Sequence, residues 1–572
     1  MISARAAAFV LLPLLCGLSF FRAADRPGLL EKDEPRYAVT AREMARSGDW
    51  LVPRFAGQVR LEKPPGAYWA QAAAFKATGR FDERSARLPS AIAASLLVLL
   101  VAAGVGRALG AGAGLTAGAA LATTAMCVAS ARLATTDMLH ALLFCASAAA
   151  WVPVLDGSPR ATRWILLSGL LAGGAALVKT PLALCLPPIA AVATAFVLRR
   201  LGGDDAMPVP FRRGWSLKVL LPWAGAVAIA AACLLAWYLP CNAETGGALH
   251  KSLKSELLSR AAPDKGLHTQ PPWYFAGVAI AGLLPWTFLV PAGIAAAWRA
   301  ARAPGPGRVL GVYAAVLGLT VLLFFSALPS KLPNYILPLV PCAAVLCGFA
   351  IHGWNAEGVP RWTRLLAGWG SIAAGAGLLI APWLPSVREA LGEDAAVAVL
   401  PSLHALGGML AAAGAAALAG RAILFAAAAV ASMTGFLLLA DPAIPFLDQR
   451  RCARAMAEAM REAGLRPGDR VFDASNQVTG IPWYADIDVK TRPGGQSYRV
   501  RDVPYDLDSG FRVWVVLKHD PVDARREGRR TAWESVREST PPTGFMWAPR
   551  EPPVHLRIVW EGWERVIVTN VP

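Results

Sequence analysis

Asp33-Glu34-Pro35-Arg36-Tyr37 and, further along, Glu62-Lys63-Pro64-Pro65 bring carboxylates, cations and a phenol into one short polar stretch. The stretch directly follows the first apolar segment of the chain. Carboxylates there can orient a hydroxyl or take its proton, and a lysine can hold an anion as a point charge. Ionisable groups beside a bilayer are costly and tend to be functional. Three more clusters have the same character: Thr135-Thr136-Asp137, Lys179-Thr180-Pro181 and Lys331-Leu332-Pro333-Asn334-Tyr335. A basic loop with His250, Lys251, Lys254, Arg260, Lys265 and His268 joins them. Each has a plainer reading. Asp33 and Asp137 suit helix N-caps. Lys179 suits a helix C-terminus from which its ammonium reaches the interface. Lys331 and Tyr335 suit interfacial anchors.

The elements that must position these residues are apolar. About thirteen runs are long enough to cross a bilayer as helices. They lie near 6–22, 88–108, 112–131, 137–155, 163–178, 181–199, 217–238, 274–298, 307–327, 335–353, 363–385, 401–419 and 422–440. No broken span or internal repeat is evident. Gly- and Ala-rich stretches at Gly169–Ala176 and Ala411–Gly420 suit close helix packing. The first run follows Arg5 and lacks a clear small-x-small cleavage site, so it is expected to remain as a transmembrane helix.

Arg107, Arg160, Arg163, the 199–218 and 299–308 loops, Arg361, Arg364 and Arg421 fall in alternate loops, which should be cytoplasmic. All the polar clusters then share the opposite face. That regularity argues for one site at the outer membrane surface. The N-terminus is expected in the cytoplasm. Residues 1–440 form a membrane domain with an extracytoplasmic loop at 23–87.

Residues 441–572 change character to ordinary globular sequence. Gln449–Gly464 reads as one amphipathic helix, and Arg470–Asp473, Arg512–Lys518 and Leu556–Trp560 read as strands. The expected fold class is therefore a polytopic α-helical membrane protein with a small C-terminal α/β domain outside the cytoplasm.

Composition agrees. Of 572 residues, 55% are hydrophobic and only 17% charged, below the quarter usual in soluble proteins. The net charge of +17 lies in loops, without the aromatic-interleaved stripes of a nucleic-acid binder. Nine cysteines, mostly inside apolar runs and with no C-x-x-C pair, read as small buried hydrophobes.

Taken in order, Asp33 to Ala38, Arg42-Glu43-Met44, Ser47-Gly48-Asp49-Trp50, Pro53, Gly57, Glu62-Lys63-Pro64-Pro65 and Tyr68-Trp69 form a spaced pattern. It continues in Arg132 to Asp137, Leu177-Val178-Lys179, Trp273-Tyr274 and Lys331 to Pro338. This set resembles the polyprenyl-phosphate-sugar-dependent glycosyltransferases of the GT-C class, of the aminoarabinose lipid A transferase and protein O-mannosyltransferase type. The resemblance covers roughly the first 350 residues and none of the C-terminal domain.

The resemblance implies Asp33 as the acceptor-side carboxylate and Asp137 as a second one facing the sugar. Glu34, Arg36, Tyr37, Lys63, Lys179, Arg260, Lys331 and Tyr335 would hold the donor and its phosphate. It also implies a divalent metal shared by Glu62 and His268, although one Glu and one His fall short of a metal motif. Three departures stand out: Thr180 where the pattern has Gly after the lysine, Thr269 where a base follows the histidine, and Pro272 in place of an aromatic.

The implied function is transfer of a pentose or hexose from a polyprenyl-phosphate carrier to a cell-envelope glycolipid, with inversion, in a bacterial inner membrane. A protein acceptor with the same donor is the alternative. A transporter is disfavoured because charges gather at one face and are absent from span centres, where transporters bind their substrates. An assembly scaffold with a decayed site sits poorly with the retained Asp33, Lys63 and Asp137.

Overall fold

Each apolar run carries a helix in the computed structural model, which describes residues 4–31, 33–202, 217–252, 254, 269–302, 305, 307–356, 359–466, 469–473, 480–486, 489–490, 513–518, 557–561 and 565–569. Among the described residues, nine helices are long and apolar enough to cross a membrane. Two further runs are bent pairs, and two are shorter apolar helices, Ala7–Phe21 and Leu339–Trp354. The chain is a multi-pass membrane protein.

The bent pairs correct the expectation of unbroken spans. Ala111–Ala122 and Ala125–Ala131 meet at 62°, and Tyr274–Gly282 and Thr287–Ala300 at 103°. A break at membrane depth exposes backbone groups that need partners inside the protein. The two breaks supply each other. Ala125 N donates to the Leu284 carbonyl at 2.8 Å, and the Trp286 indole donates to Thr123 Oγ1 at 3.0 Å. Thr123 and Thr124 return their own hydroxyls to Ala119 and Ala120 at 2.7 and 2.6 Å. No charged residue stands at either break, and the two bends pack against each other.

The chain divides into two compact units. One comprises Met1–Ala24, Leu61–Ala70 and Arg87–Pro442; the other comprises Asp25–Arg60, Gln71–Ala86 and Ala443–Pro572. In the first, small residues bring helices into contact as their composition suggests. A Cβ on Gly169 would come within 2.5 Å of the Ala226 backbone, so only glycine lets helix Ala161–Val178 lie against helix Leu217–Glu244.

In the second unit, a five-stranded sheet runs in the order Val489–Lys490, Arg470–Asp473, Val513–Lys518, Arg565–Thr569, Arg557–Glu561. The first two pairings are parallel and the last two antiparallel. Val471 and Trp514 from the sheet pack with Met456 and Met460. The helix expected over Gln449–Gly464 is two helices, Ile444–Arg451 and Arg454–Glu462. Cys452 between them is extended because it bridges to Leu30 as a short strand contact.

Candidate active site

In the membrane unit, a carboxylate and an ammonium meet where two helices end. Asp137 is the first residue of helix Asp137–Ala149 and is buried. Lys179 caps the C-terminus of helix Ala161–Val178. Its Nζ donates to Asp137 Oδ1. Asp137 Oδ2 accepts from Asn334 Nδ2 at 2.7 Å and from the Thr135 hydroxyl at 3.2 Å. A carboxylate taken out of water is tolerated only when its lone pairs are satisfied, and three donors do so here. Behind the pair, His140 lies one turn along from Asp137, and its Nε2 is 3.1 Å from the Thr180 hydroxyl.

Lys179 Nζ also sits 5.4 Å from the Tyr335 ring centroid, within cation–π range. Its side chain keeps 18% exposure. One contact to Asp137 uses one of three N–H donors, and among the described residues no other protein acceptor takes the rest. The ammonium is therefore fixed from behind and available in front. Asp137, expected to face the sugar, here accepts from Lys179, Asn334 and Thr135.

Gly66 opens helix Gly66–Thr78. A Cβ there would lie 2.8 Å from the Leu177 carbonyl oxygen and 2.9 Å from Val178 Cγ2. Only glycine permits that approach. Through it the Glu62-Lys63-Pro64-Pro65 segment abuts the helix end that carries Lys179. Lys63 is half-buried and Glu62 exposed.

Lys331 is latched to backbone carbonyls. It is 3% exposed and donates to the Gln270 carbonyl at 2.9 Å and to the Leu328 carbonyl. With the Thr269–Ser330 bridge, it fastens the segment after the basic loop to the turn Pro333–Ile336, which carries Asn334 and Tyr335.

In the other unit, Asp33, Glu34, Arg36 and Tyr37 share helix Asp33–Ser47. Asp33 is exposed at its first turn and, among the described residues, makes no hydrogen bond. Glu34 is 1% exposed and accepts from Leu30 N at 2.8 Å, reaching back as a capping carboxylate does. Tyr37 is buried along the helix and Arg36 half-buried.

Arg260 and His268 lie outside the described residues. Among those described, no group of three or more His, Cys, Asp or Glu is placed to hold a metal. Two residues of the arrangement escaped the sequence reading as site members, Asn334 and His140. Asn334 lies inside the Lys331–Tyr335 motif, and His140 follows Asp137 at the i, i+3 spacing that shares a helix face. Either signal was there to be used.

Residues 62–208 match the family described as dolichyl-phosphate-mannose-protein mannosyltransferase. A Sodalis glossinidius protein described as undecaprenyl phosphate-alpha-4-amino-4-deoxy-L-arabinose arabinosyl transferase 1 is 33% identical over 329 residues, covering 56% of this chain and 55% of that one. An Edwardsiella ictaluri protein described as an undecaprenyl phosphate-alpha-4-amino-4-deoxy-L-arabinose arabinosyl transferase is 31% identical over 375 residues, 62% of this chain and 63% of its own. The matches thus span between half and two thirds of these relatives. The crystal structure of ArnT from Cupriavidus metallidurans in the apo state superposes with a TM-score of 0.72 at 22% identity, over 100% of this chain and 99% of that one. Its undecaprenyl phosphate-bound form gives 0.73 at 22%, over 98% of each. The fold is that of ArnT, and the chain resembles the GT-C glycosyltransferases of the aminoarabinose transferase type.

Proposed function

We propose that this chain, with the fold and ordered motifs of the aminoarabinose-type GT-C transferases, moves a sugar from a polyprenyl-phosphate carrier to a cell-envelope glycolipid. The observation that carries the proposal is the Lys179 ammonium, fixed by buried Asp137 and the Tyr335 face and abutted by the Lys63 segment. Two cations at the end of apolar helices suit a phosphate on a lipid. The names of the similar proteins support undecaprenyl phosphate as carrier and an aminopentose as sugar.

In the proposed reaction an acceptor oxygen attacks the anomeric carbon. The bond from that carbon to the phosphate oxygen breaks, and the carrier phosphate leaves with the electron pair. A single displacement inverts the anomeric centre. Lys63 and Lys179 stabilise the leaving phosphate. Asp33 orients the acceptor and takes its proton if it is a hydroxyl. Asn334 and Asp137 position Lys179, and Lys331 positions the Pro333–Ile336 turn. The site faces the periplasm of a bacterial inner membrane, with the N-terminus cytoplasmic. A metal shared by Glu62 and His268 is a separate proposal. Turnover lost on chelation and restored by a divalent cation supports it, and unchanged turnover overturns it.

The test is mass spectrometry of envelope lipids and glycoproteins from cells with and without the protein. Loss of an aminopentose from the lipid fraction alone is expected. Loss confined to proteins would move the acceptor to protein hydroxyls, the reading that the mannosyltransferase match favours. No change in either would refute transferase activity under those growth conditions. With purified protein, Asp33→Asn should abolish turnover and spare donor binding, while Lys63→Ala should weaken donor binding.

A further inference from the structure

The four residues that lead into helix Asp33–Ser47 are pinned, one after another, by the C-terminal part of the chain. Gly28 N donates to Asp448 Oδ1 at 2.8 Å. Leu29 N donates to the Tyr484 hydroxyl at 2.7 Å. Leu30 pairs with Cys452. Glu31 N donates to the Arg451 carbonyl at 2.7 Å, and its carboxylate accepts from Gly480 N at 2.6 Å. The Tyr484 hydroxyl in turn donates to Glu83 Oε1 at 3.1 Å. Burial, then the neighbouring Cys452 and Glu83, hold that phenol well above its usual pKa, so it remains a donor. Arg454 closes the network on Glu83 at 2.7 Å and Asp448 at 3.2 Å, with its guanidinium 5.6 Å from the Tyr484 ring.

The helix itself is gripped further along. Arg42 is 7% exposed. It donates to the Trp483 carbonyl at 3.0 Å and the Pro482 carbonyl at 2.6 Å, and stacks 5.1 Å from the Trp483 ring. Those carbonyls belong to the single turn Ile481–Ala485, whose carbonyls have no helical partner of their own. A planar fork serves both through separate nitrogens held at a fixed spacing, a geometry that the single nitrogen of a lysine does not reproduce. Arg42 and Arg46 share Asp486, at 3.1 and 2.9 Å.

We propose that residues 443–466 and 480–486 serve the reaction as a clamp that sets the position of Asp33, with Arg42 and Tyr484 as its two main positioning residues. This rests on the role of Asp33 in the transferase reading. Neither residue is asked to touch substrate. A displacement of about 1 Å in a reacting group can cost on the order of 10²-fold in rate, so a clamp on the helix has leverage.

The experiment uses the full chain in lipid nanodiscs, with Arg42→Lys and Tyr484→Phe. Arg42→Lys keeps the charge and the Asp486 pairing but loses the fork. Tyr484→Phe keeps the ring and loses the hydroxyl. Hydrogen exchange of amides 33–47 should speed up in both, with helix Ala161–Val178 unchanged. Turnover should fall about tenfold or more, with the donor KM within about twofold. Combined with Asp33→Asn, neither change should lower the residual rate further. Unchanged exchange, or normal turnover despite faster exchange, would overturn the clamp. An unmodified protein that transfers no sugar would instead sink the transferase reading, and exchange alone would then decide whether the clamp exists.

Discussion

Asp137→Asn, Lys179→Met and the double variant form a cycle whose outcome the geometry dictates. The Asp137 side chain is 9% exposed and that of Lys179 18%. Removing one partner of a fully buried pair costs about 3–5 kcal/mol, because the other charge is left unpaired out of water. Water still reaches part of the Lys179 ammonium, and the amide oxygen introduced by Asp137→Asn still accepts a hydrogen bond. Both points place the cost of Asp137→Asn lower, at about 2–3 kcal/mol. Lys179→Met leaves a carboxylate held by Asn334 and Thr135, with a similar cost. The double variant removes both charges and should regain about 2 kcal/mol relative to the sum of the singles. Thermal midpoints in detergent read the stability arm. Transfer from a lipid-phosphate sugar reads the other, and it should be lost in all three variants, because in each the ammonium is absent or unheld. Stability losses that add within about 0.5 kcal/mol would refute the coupling. Wild-type turnover in the double variant would refute the role of Lys179.

Gly66→Ala puts a methyl 2.8 Å from the Leu177 carbonyl oxygen; it should cost about 1–3 kcal/mol through overpacking and raise the donor KM by shifting Lys63, read by steady-state kinetics. Lys331→Met leaves the Gln270 and Leu328 carbonyls without their donor; a loss of about 1–3 kcal/mol is expected, measured as a lowered thermal midpoint, whereas an unchanged midpoint would return Lys331 to the donor site. Burial, outweighing the thiol's hydrogen bond to the Tyr484 hydroxyl and the one it accepts from Arg454 N, pushes the Cys452 thiol up to about 11. A water-soluble maleimide at about pH 8, below even an ordinary thiol pKa, should therefore leave Cys452 unmodified by peptide mass mapping, and rapid labelling would show that this part of the fold is open.

Much of the architecture was legible in the amino-acid order. Apolar run length sets where helices lie, since a bilayer demands about twenty apolar residues per span, and each expected run carries a helix. The alternation of basic loops predicts that the polar motifs share one side, by a rule that needs no coordinates. Strands at Arg470–Asp473 and Val513–Lys518 followed from their β-branched and aromatic pattern. What tertiary structure decided was which charge meets which. Asp137, Lys179 and Asn334 are separated by long stretches of chain, and no local pattern says that they meet. The inward turn of Glu34 and the latching of Lys331 depend on neighbouring carbonyls and amides, which a linear reading cannot see. The joined breaks at Thr123 and Leu284 escaped it because each alone looks like continuous apolar sequence. The division of Gln449–Gly464 into two helices has the same origin. Its helical periodicity is sound, but a backbone pairing with Leu30, hundreds of residues away, holds Cys452 extended and overrides it.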